Sequence, residues 1–417
     1  MQYQIDDKPK ALSMLMYGVQ WWVVAVPSII VMGAVAAALH FEGNTAAQEL
    51  YMQKLFAVIG GSILIQSIWG HRLPLVVGPA VVLLTGVLAS MSSGINAIYT
   101  GIFTGGIILS LLAVSGLLVK VQKIFTPRVV TVILILVTVA IMPVIIRLIF
   151  AGSDVVFSMV FSLFFVFGLI LLNEKLPGVW KSTTLMWGIG IGCLVYFAFY
   201  GLPAPSEHTL DLSGFFIRPE FNPSVIISFV LCALALTVNE IGSIQAVGHM
   251  LRADNMAQRS VRGVGFTGLM NMVSGALGVI GPVDYSTSPG IISASGCASR
   301  YPLIVAGAGL VLCAFIPAVV PVLIYIPPLI MGALLFYIMS AQLSAGLQLL
   351  VRDNTVKDYQ SGITIGLPVM MAILVSFAPR EVMERLPEAL LPIVGNGFIM
   401  GVLTVFVLEH LIFGKRK

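Results

Sequence analysis

Glu240 is the one acidic side chain that lies well inside a long apolar run, CALALTVNEIGSIQAVGH, with Asn239 beside it. An ionisable group in such a run is costly and is a functional hypothesis by default. Its carboxylate suits accepting hydrogen bonds from ligand N–H groups, or changing protonation during a transport cycle. The alternative is a paired or protonated glutamate that only ties helices together, with Asn239 as interhelical glue worth about 1 kcal/mol or less. Ser286, Thr287 and Ser288 precede Pro289 and Gly290. Hydroxyls and exposed amides at such a break could read the edge of a planar heterocycle, cap a helix, or do both. Gln20 is the lone amide of the first apolar run, next to Trp21 and Trp22. The tryptophans are read as packing against an interrupted helix in preference to anchoring at an interface. Thr267, Asn271 and Ser274 share one helical face at i, i+4, i+7 spacing, a pattern commoner on packing surfaces than in ligand sites.

Other chemistries find no support. The sequence lacks DDxxD, HExxH, GxSxG and a phosphate-binding loop, and its one Asp pair, Asp6 and Asp7, lies in the N-terminal lead. The five histidines are dispersed at 40, 71, 208, 249 and 410. Cys193, Cys232, Cys297 and Cys313 all sit in apolar surroundings without CxxC spacing and read as buried free thiols. The expectation is a non-enzyme without metal or cofactor and without direct ATP drive.

The elements that position these residues follow from composition. The chain has 417 residues, 58% hydrophobic and 10% charged, against about 25% charged for a soluble domain. The fold class expected is an all-α polytopic membrane protein. Apolar runs place helices at 13–40, 52–69, 79–90, 95–119, 127–150, 153–173 and 183–200. After a loop at 201–223 they resume at 224–250, 260–280, 288–298, 301–324, 327–350, 359–378 and 389–413. That is fourteen spans in two sets of seven, 1–200 and 224–417, and an odd-numbered half makes the repeat inverted. With both termini cytoplasmic, seventeen of the 22 basic residues fall on inside loops, a strong positive-inside bias. The net charge of +4 is scattered singly at helix ends, which argues for membrane orientation and against nucleic acid.

The third helix of each set is unusual. GHRLPLVVGPAVVLLTG (70–86) and GPVDYSTSPGIISASGCASR (281–300) each open with an extended Pro/Gly-rich stretch and continue as a short apolar helix. Proline denies the backbone a donor, and non-helical backbone at membrane depth is tolerated only where protein or a cavity covers it. Paired interrupted segments in opposed halves point to a transporter's binding site, with half-helix N-termini presenting free N–H groups.

The chain resembles the nucleobase–ascorbate transporter family, which includes uracil and xanthine permeases. Gln20, LPLVVGP (73–79), FTPRVVTVILILV (125–137), SPGIISASGCASRYP (288–302), IPPLIMGALLFYIM (326–339) and LPIVGNGFIMGVL (391–403) carry the resemblance by their joint order and spacing. It implies a core domain from the first four helices of each half and a gate domain from the other three. Substrate would bind between them, beside short extended stretches that precede half-helices three and ten. It also implies homodimers in the inner membrane and coupling to protons, or sodium in some members. Carried over position by position, the substrate-binding residues are Ser28, Ala80, Val81, Asn239, Thr287 and Ser288, supported by Gln20, Thr267 and Ser286. Glu240 is the residue for proton coupling. The polar site departs from the family pattern: Asn239 stands where the family has a glutamate, Thr267 where it often has an acid, and Thr287 and Ser288 where it has Gln or Glu and Asn. The function expected is a secondary transporter of a nucleobase or similar planar heterocycle, working by an elevator-like shift. The alternatives are an organic or inorganic anion carrier on the same fold, and a non-transporting membrane sensor or degenerate paralogue.

Overall fold

A computed structural model describes residues 1–201, 215–316, 326–383, 385–387 and 390–414. The chain is mostly helical. Among the described residues, eight helices are long and apolar enough to cross a membrane. These are α1 (Ala11–His40), α2 (Thr45–Ile68), α4 (Ile95–Val114), α6 (Pro127–Ile149), α7 (Val155–Lys175), α9 (Pro223–Leu251), α13 (Pro328–Arg352) and α14 (Tyr359–Ser376). Three shorter apolar stretches join them: α8 (Thr184–Tyr200), α12 (Tyr301–Phe315), and α15 (Gly397–Phe406) with the π-helical turn Val407–Ile412 that continues it. Short α3 (Val81–Ala89), α5 (Leu118–Ile124) and α11 (Ser288–Ser295), the less apolar α10 (Met256–Leu277), and two strands, β1 (Val77–Pro79) and β2 (Pro282–Asp284), complete the frame. A chain with this many long apolar helices is a multi-pass membrane protein.

Local chemistry sets several boundaries that hydropathy misplaces. α2 starts at Thr45, seven residues before the expected 52, because Asn44 accepts the Ala47 N–H at 3.0 Å and caps a polar first turn. α4 stops at Val114, short of the expected 119, where Gly116 turns the chain at φ +72° into α5. The expected last span, 389–413, is broken: Leu391–Val394 is one short helix, and Asn396 caps α15 by accepting the Ile399 N–H at 3.2 Å. Asp358 caps α14, and the Ser361 N–H that it accepts at 2.8 Å holds its carboxyl below the usual carboxylate range. The part of the expected 301–324 helix beyond 316, most of the 201–223 loop (202–214) and Lys415–Lys417 lie outside the described residues.

Packing is closest where glycine removes the side chain. α4 lies against α10 with Gly106 on Gly268, where an added methyl carbon at Gly106 would stand 2.6 Å from the Gly268 carbonyl. α2 lies against α12 in the same way, with 2.7 Å from such a carbon at Gly60 to the Gly307 carbonyl. Small residues at such crossings let helix backbones approach in an apolar solvent that supplies no hydrophobic drive between helices. α6 packs on α13, and α14 on α15. The N-terminal lead is strapped to the chain after α11: Tyr3 bridges Cys297, the Ser299 hydroxyl donates to the Asp7 carbonyl at 2.7 Å, and the Arg300 guanidinium reaches Asp6 at 2.7 Å.

Candidate functional site

Both expected interruptions are present, and they meet. β1 and β2 pair antiparallel, Val77 opposite Asp284, Gly78 opposite Val283 and Pro79 opposite Pro282. Their ends are closed by the Ala80 N–H on the Gly281 carbonyl and the Tyr285 N–H on the Val76 carbonyl, each 2.9 Å. Each strand thus satisfies the other's backbone at a depth where no water would. Directly beyond them begin α3 and α11, whose N-cap residues Ala80 and Thr287 provide no side-chain cap. The start of α3 keeps the Val81 and Val82 N–H donors for what stands in front of it. At α11 the Ser288 and Gly290 N–H groups donate to the Tyr285 and Thr287 carbonyls and Pro289 has no N–H, so that start presents the positive end of its dipole alone.

In front of them is a cavity of about 1300 Å³. Ser28 from α1, Ala80 and Val81 from the start of α3, Asn239 from α9, and Ser286 and Thr287 ahead of α11 line it on one side. Residues of α6 and α13, Tyr337 and Gln342 among them, line the other. The wall is mostly apolar, with hydroxyl and amide groups beside the half-helix starts and Lys181, His249, Arg352 and Asp353 elsewhere on it, and its size exceeds the few hundred Å³ that one small ligand needs. Tyr285 is fixed against β1: its hydroxyl donates to the Pro79 carbonyl at 2.8 Å, and its ring covers Gly78 so closely that no side chain fits there.

A family model described as the Permease family, of xanthine and uracil permease type, matches residues 12–381. The chain belongs to this permease family. It is 24% identical to the nucleobase transporter PlUacP of Paenibacillus larvae, over 89% of this chain and 88% of that one. It is 22% identical to the xanthine permease of Bacillus subtilis, over 90% and 89% of the two chains. Among solved structures, its fold is similar to the transmembrane domain of the cyanobacterial bicarbonate transporter BicA, with TM-score 0.63 at 13% identity, covering 90% of this chain and 98% of that one.

In this permease the sequence-derived site residues separate into two groups. Ser28, Ala80, Val81, Asn239, Thr287 and Ser286 reach the cavity wall. Ser288, Glu240, Thr267 and Gln20 do not. Ser288 is fully buried, its hydroxyl accepting the Val76 N–H at 3.0 Å and donating to the Tyr285 carbonyl at 3.0 Å, so it locks β1 to the turn ahead of α11. One residue is about 100° of helix rotation. Asn239 therefore points at the cavity while Glu240 points behind the strands. Gln20 has a buried amide nitrogen without a partner, away from the cavity. Trp21 is buried, and Trp22 packs over Gly309 of α12 and not on an interrupted helix as expected.

Behind the strands lies a buried polar cluster. Glu240 accepts the Asp284 N–H at 2.9 Å on Oε2 and the Thr267 hydroxyl at 2.6 Å on Oε1. Thr267 in turn accepts from Gln66 Nε2 at 2.8 Å. Asn271, on the same face, donates to the Pro282 carbonyl at 3.1 Å, and Ser274 donates to the Met270 carbonyl. This α10 face is a packing surface, as its spacing suggested. Glu240 is not the solitary buried acid that the sequence implied. Asp284 is equally buried, with its Oδ2 3.1 Å from Nε2 of buried His71. Sequence reading missed the pair because 71 and 284 lie in separate interrupted segments and only strand pairing joins them. Tyr285 and Gln342 were missed too, although Gln342 is an isolated amide in the apolar stretch of α13.

Proposed function

We propose that this permease carries a nucleobase or similar planar heterocycle across the cytoplasmic membrane as a secondary transporter, with the base held in front of the paired half-helices. The observation that carries this reading is the joint placement of two uncapped helix starts and the neutral groups Ser28, Asn239, Ser286 and Thr287 on one cavity wall. A nucleobase edge alternates donors and acceptors. The Asn239 amide offers both, the Ser286 and Thr287 hydroxyls offer both, the Ser28 hydroxyl, which donates to the Ala25 carbonyl, accepts, and the backbone N–H groups at the start of α3 donate. The apolar remainder of the wall suits the ring faces. The names of the relatives, a nucleobase transporter and a xanthine permease, point the same way.

The packing supports fourteen spans as an inverted seven-plus-seven repeat. Counting α1–α4, α6, α7 and α8 as the first seven and α9–α15 as the second, the fourth span packs on the ninth and the eleventh on the second. These contacts exchange when seven is added or subtracted, and both are glycine-lined. With the contacts of α1 on α12 and of α9 on α3, α4 and α11, these pairs support grouping spans one to four with eight to eleven as a core. The contacts of α6 with α13 and of α14 with α15 group the rest as a gate. The cavity between α3, α11 and α6, α13 then lies on the core–gate boundary, where an elevator shift would expose it to either side. Both termini cytoplasmic and a homodimeric assembly complete the proposal, with coupling to protons through Glu240.

Uptake of labelled uracil, xanthine and adenine into cells lacking their own permeases tests this reading. Saturable uptake of at least one, competed by the unlabelled base, is expected. Anion flux in proteoliposomes that no nucleobase competes with would replace it by the anion-carrier alternative.

A further inference from the structure

Among the described residues the one acid on the cavity wall is Asp353, which is exposed and bonded to Arg352, yet two buried acids and a histidine stand behind the strands. His71, Asp284 and Glu240 are each fully buried. The Leu73 N–H donates to His71 Nδ1 at 2.9 Å. That nitrogen is therefore an acceptor, which puts the hydrogen of the neutral ring on Nε2. Nε2 stands 3.1 Å from Asp284 Oδ2 without the alignment of a hydrogen bond, so this nitrogen and both Asp284 carboxyl oxygens are buried polar atoms left unpartnered. The histidine cannot take up a second proton without losing the Leu73 bond, so it supplies no charge to balance the acids. The Asp284 N–H donates to Glu240 Oε2 at 2.9 Å, which brings the two buried acids into one site.

The groups packed around them offer little compensation. From α10, Arg259 Nη1 donates to the carbonyls of His71 and Arg72 at 2.8 and 3.0 Å, so it caps the backbone of that turn and does not pair with either acid. Asp6, Arg72, Asp254 and Arg300 surround the guanidinium. From α2 and α10, Gln66 and Thr267 are neutral donors, and from α9, Ser243 donates to the Asp284 carbonyl at 3.0 Å. Two neighbouring carboxylates that are both out of water, with the Arg259 guanidinium committed to backbone carbonyls, lose their hydration and repel each other; such pairs hold a proton between them.

We propose that Asp284, Glu240 and His71 form the proton-binding site of this carrier, placed behind the strand pair and outside the substrate cavity. This deepens the proposed function, in which Glu240 alone was assigned to coupling. In the loaded state one proton is shared between the Glu240 and Asp284 carboxyls, and the His71 Nε2–H steadies the remaining negative charge. On unloading, the carboxyl O–H bond breaks, the proton passes to water, and two carboxylates remain. The dry cluster cannot keep both, so unloading requires water to enter as the turn at His71 moves. Asp284 belongs to β2, His71 leads into β1, and Glu240 is one residue from Asn239 on the cavity wall. A change behind the strands therefore has a path along β2 to the start of α11, across the strand pair and along β1 to the start of α3, and along α9 to Asn239.

Infrared spectroscopy of the purified full-length protein without substrate tests the site directly. A protonated-carboxyl C=O band at neutral pH that disappears on raising the pH is expected, weakened or lost in Asp284→Asn and in Glu240→Gln, and shifted in its pH of disappearance in His71→Leu. No such band in the unsubstituted protein, or a band unchanged in both carboxamide variants, would overturn the proposal. In proteoliposomes the same two variants should lose at least tenfold in xanthine accumulation driven by an imposed pH gradient while retaining xanthine exchange. Accumulation at the unsubstituted level would also overturn it. Should the unsubstituted protein move no nucleobase at all, the substrate reading fails on that result, and the infrared band still decides the proton site.

Discussion

Replacing Gly78 by alanine tests whether the strand pair and Tyr285 form one rigid wall. The added methyl would lie well inside the van der Waals contact distance of three atoms of the Tyr285 ring and hydroxyl group. Neither partner has room to yield: Gly78 is paired with Val283, and the Tyr285 hydroxyl is bonded to the Pro79 carbonyl at 2.8 Å. Overpacking of this kind costs about 1–3 kcal/mol. If the ring swings away, the hydroxyl bond is lost for about 0.5–1.5 kcal/mol more. The expected loss is therefore roughly 2–4 kcal/mol, read as a lowered apparent melting temperature of the detergent-solubilised protein. The decisive comparison is a double-mutant cycle with Tyr285→Ala. Removing the ring removes the clash, so the two changes together should destabilise by at least about 1 kcal/mol less than their sum, the non-additivity expected of residues in contact. Additive losses would show that Gly78 is needed for a reason other than the ring, and the wall as described would be refuted.

Thr287→Ala and Asn239→Ala should each weaken nucleobase binding about tenfold, since one net hydrogen bond of about 1.4 kcal/mol is one decade in affinity. Ligand-induced thermal shift would follow this, with the melting temperature of the free protein little changed. Thr267→Val leaves the Glu240 carboxyl and the Gln66 amide each short of a partner and should cost about 1–3 kcal/mol, while Thr267→Ser, which keeps the hydroxyl, should cost less than half as much; equal losses would mean that the methyl group matters and the hydroxyl does not. Asn396→Ala removes the cap of α15 and should cost about 1 kcal/mol, measurable as faster amide hydrogen exchange confined to the first turn of that helix. Exchange unchanged there would show that tertiary contacts, and not the cap, hold the helix start.

The sequence by itself determined the membrane-spanning class, the order of the helices and the two interruptions, because each rests on local quantities. An apolar run of about 20 residues must be buried in lipid or protein, and a Pro/Gly-rich stretch cannot stay helical whatever surrounds it. The position-by-position carry-over placed Ser28, Ala80, Val81, Asn239 and Thr287, and all five line one cavity. The tertiary structure alone decided which way the remaining polar groups face. Ser288 and Glu240 each adjoin a wall residue in sequence, yet they are turned behind the strands by the geometry of a turn and of one helical step. The meeting of His71 with Asp284 depends on an antiparallel register between segments more than 200 residues apart. Neither segment carries a trace of that register in its own composition, since backbone pairing is indifferent to side-chain identity. Hydropathy tells how much of the chain leaves water; the crossing of two three-residue strands determines which of its buried polar groups find one another.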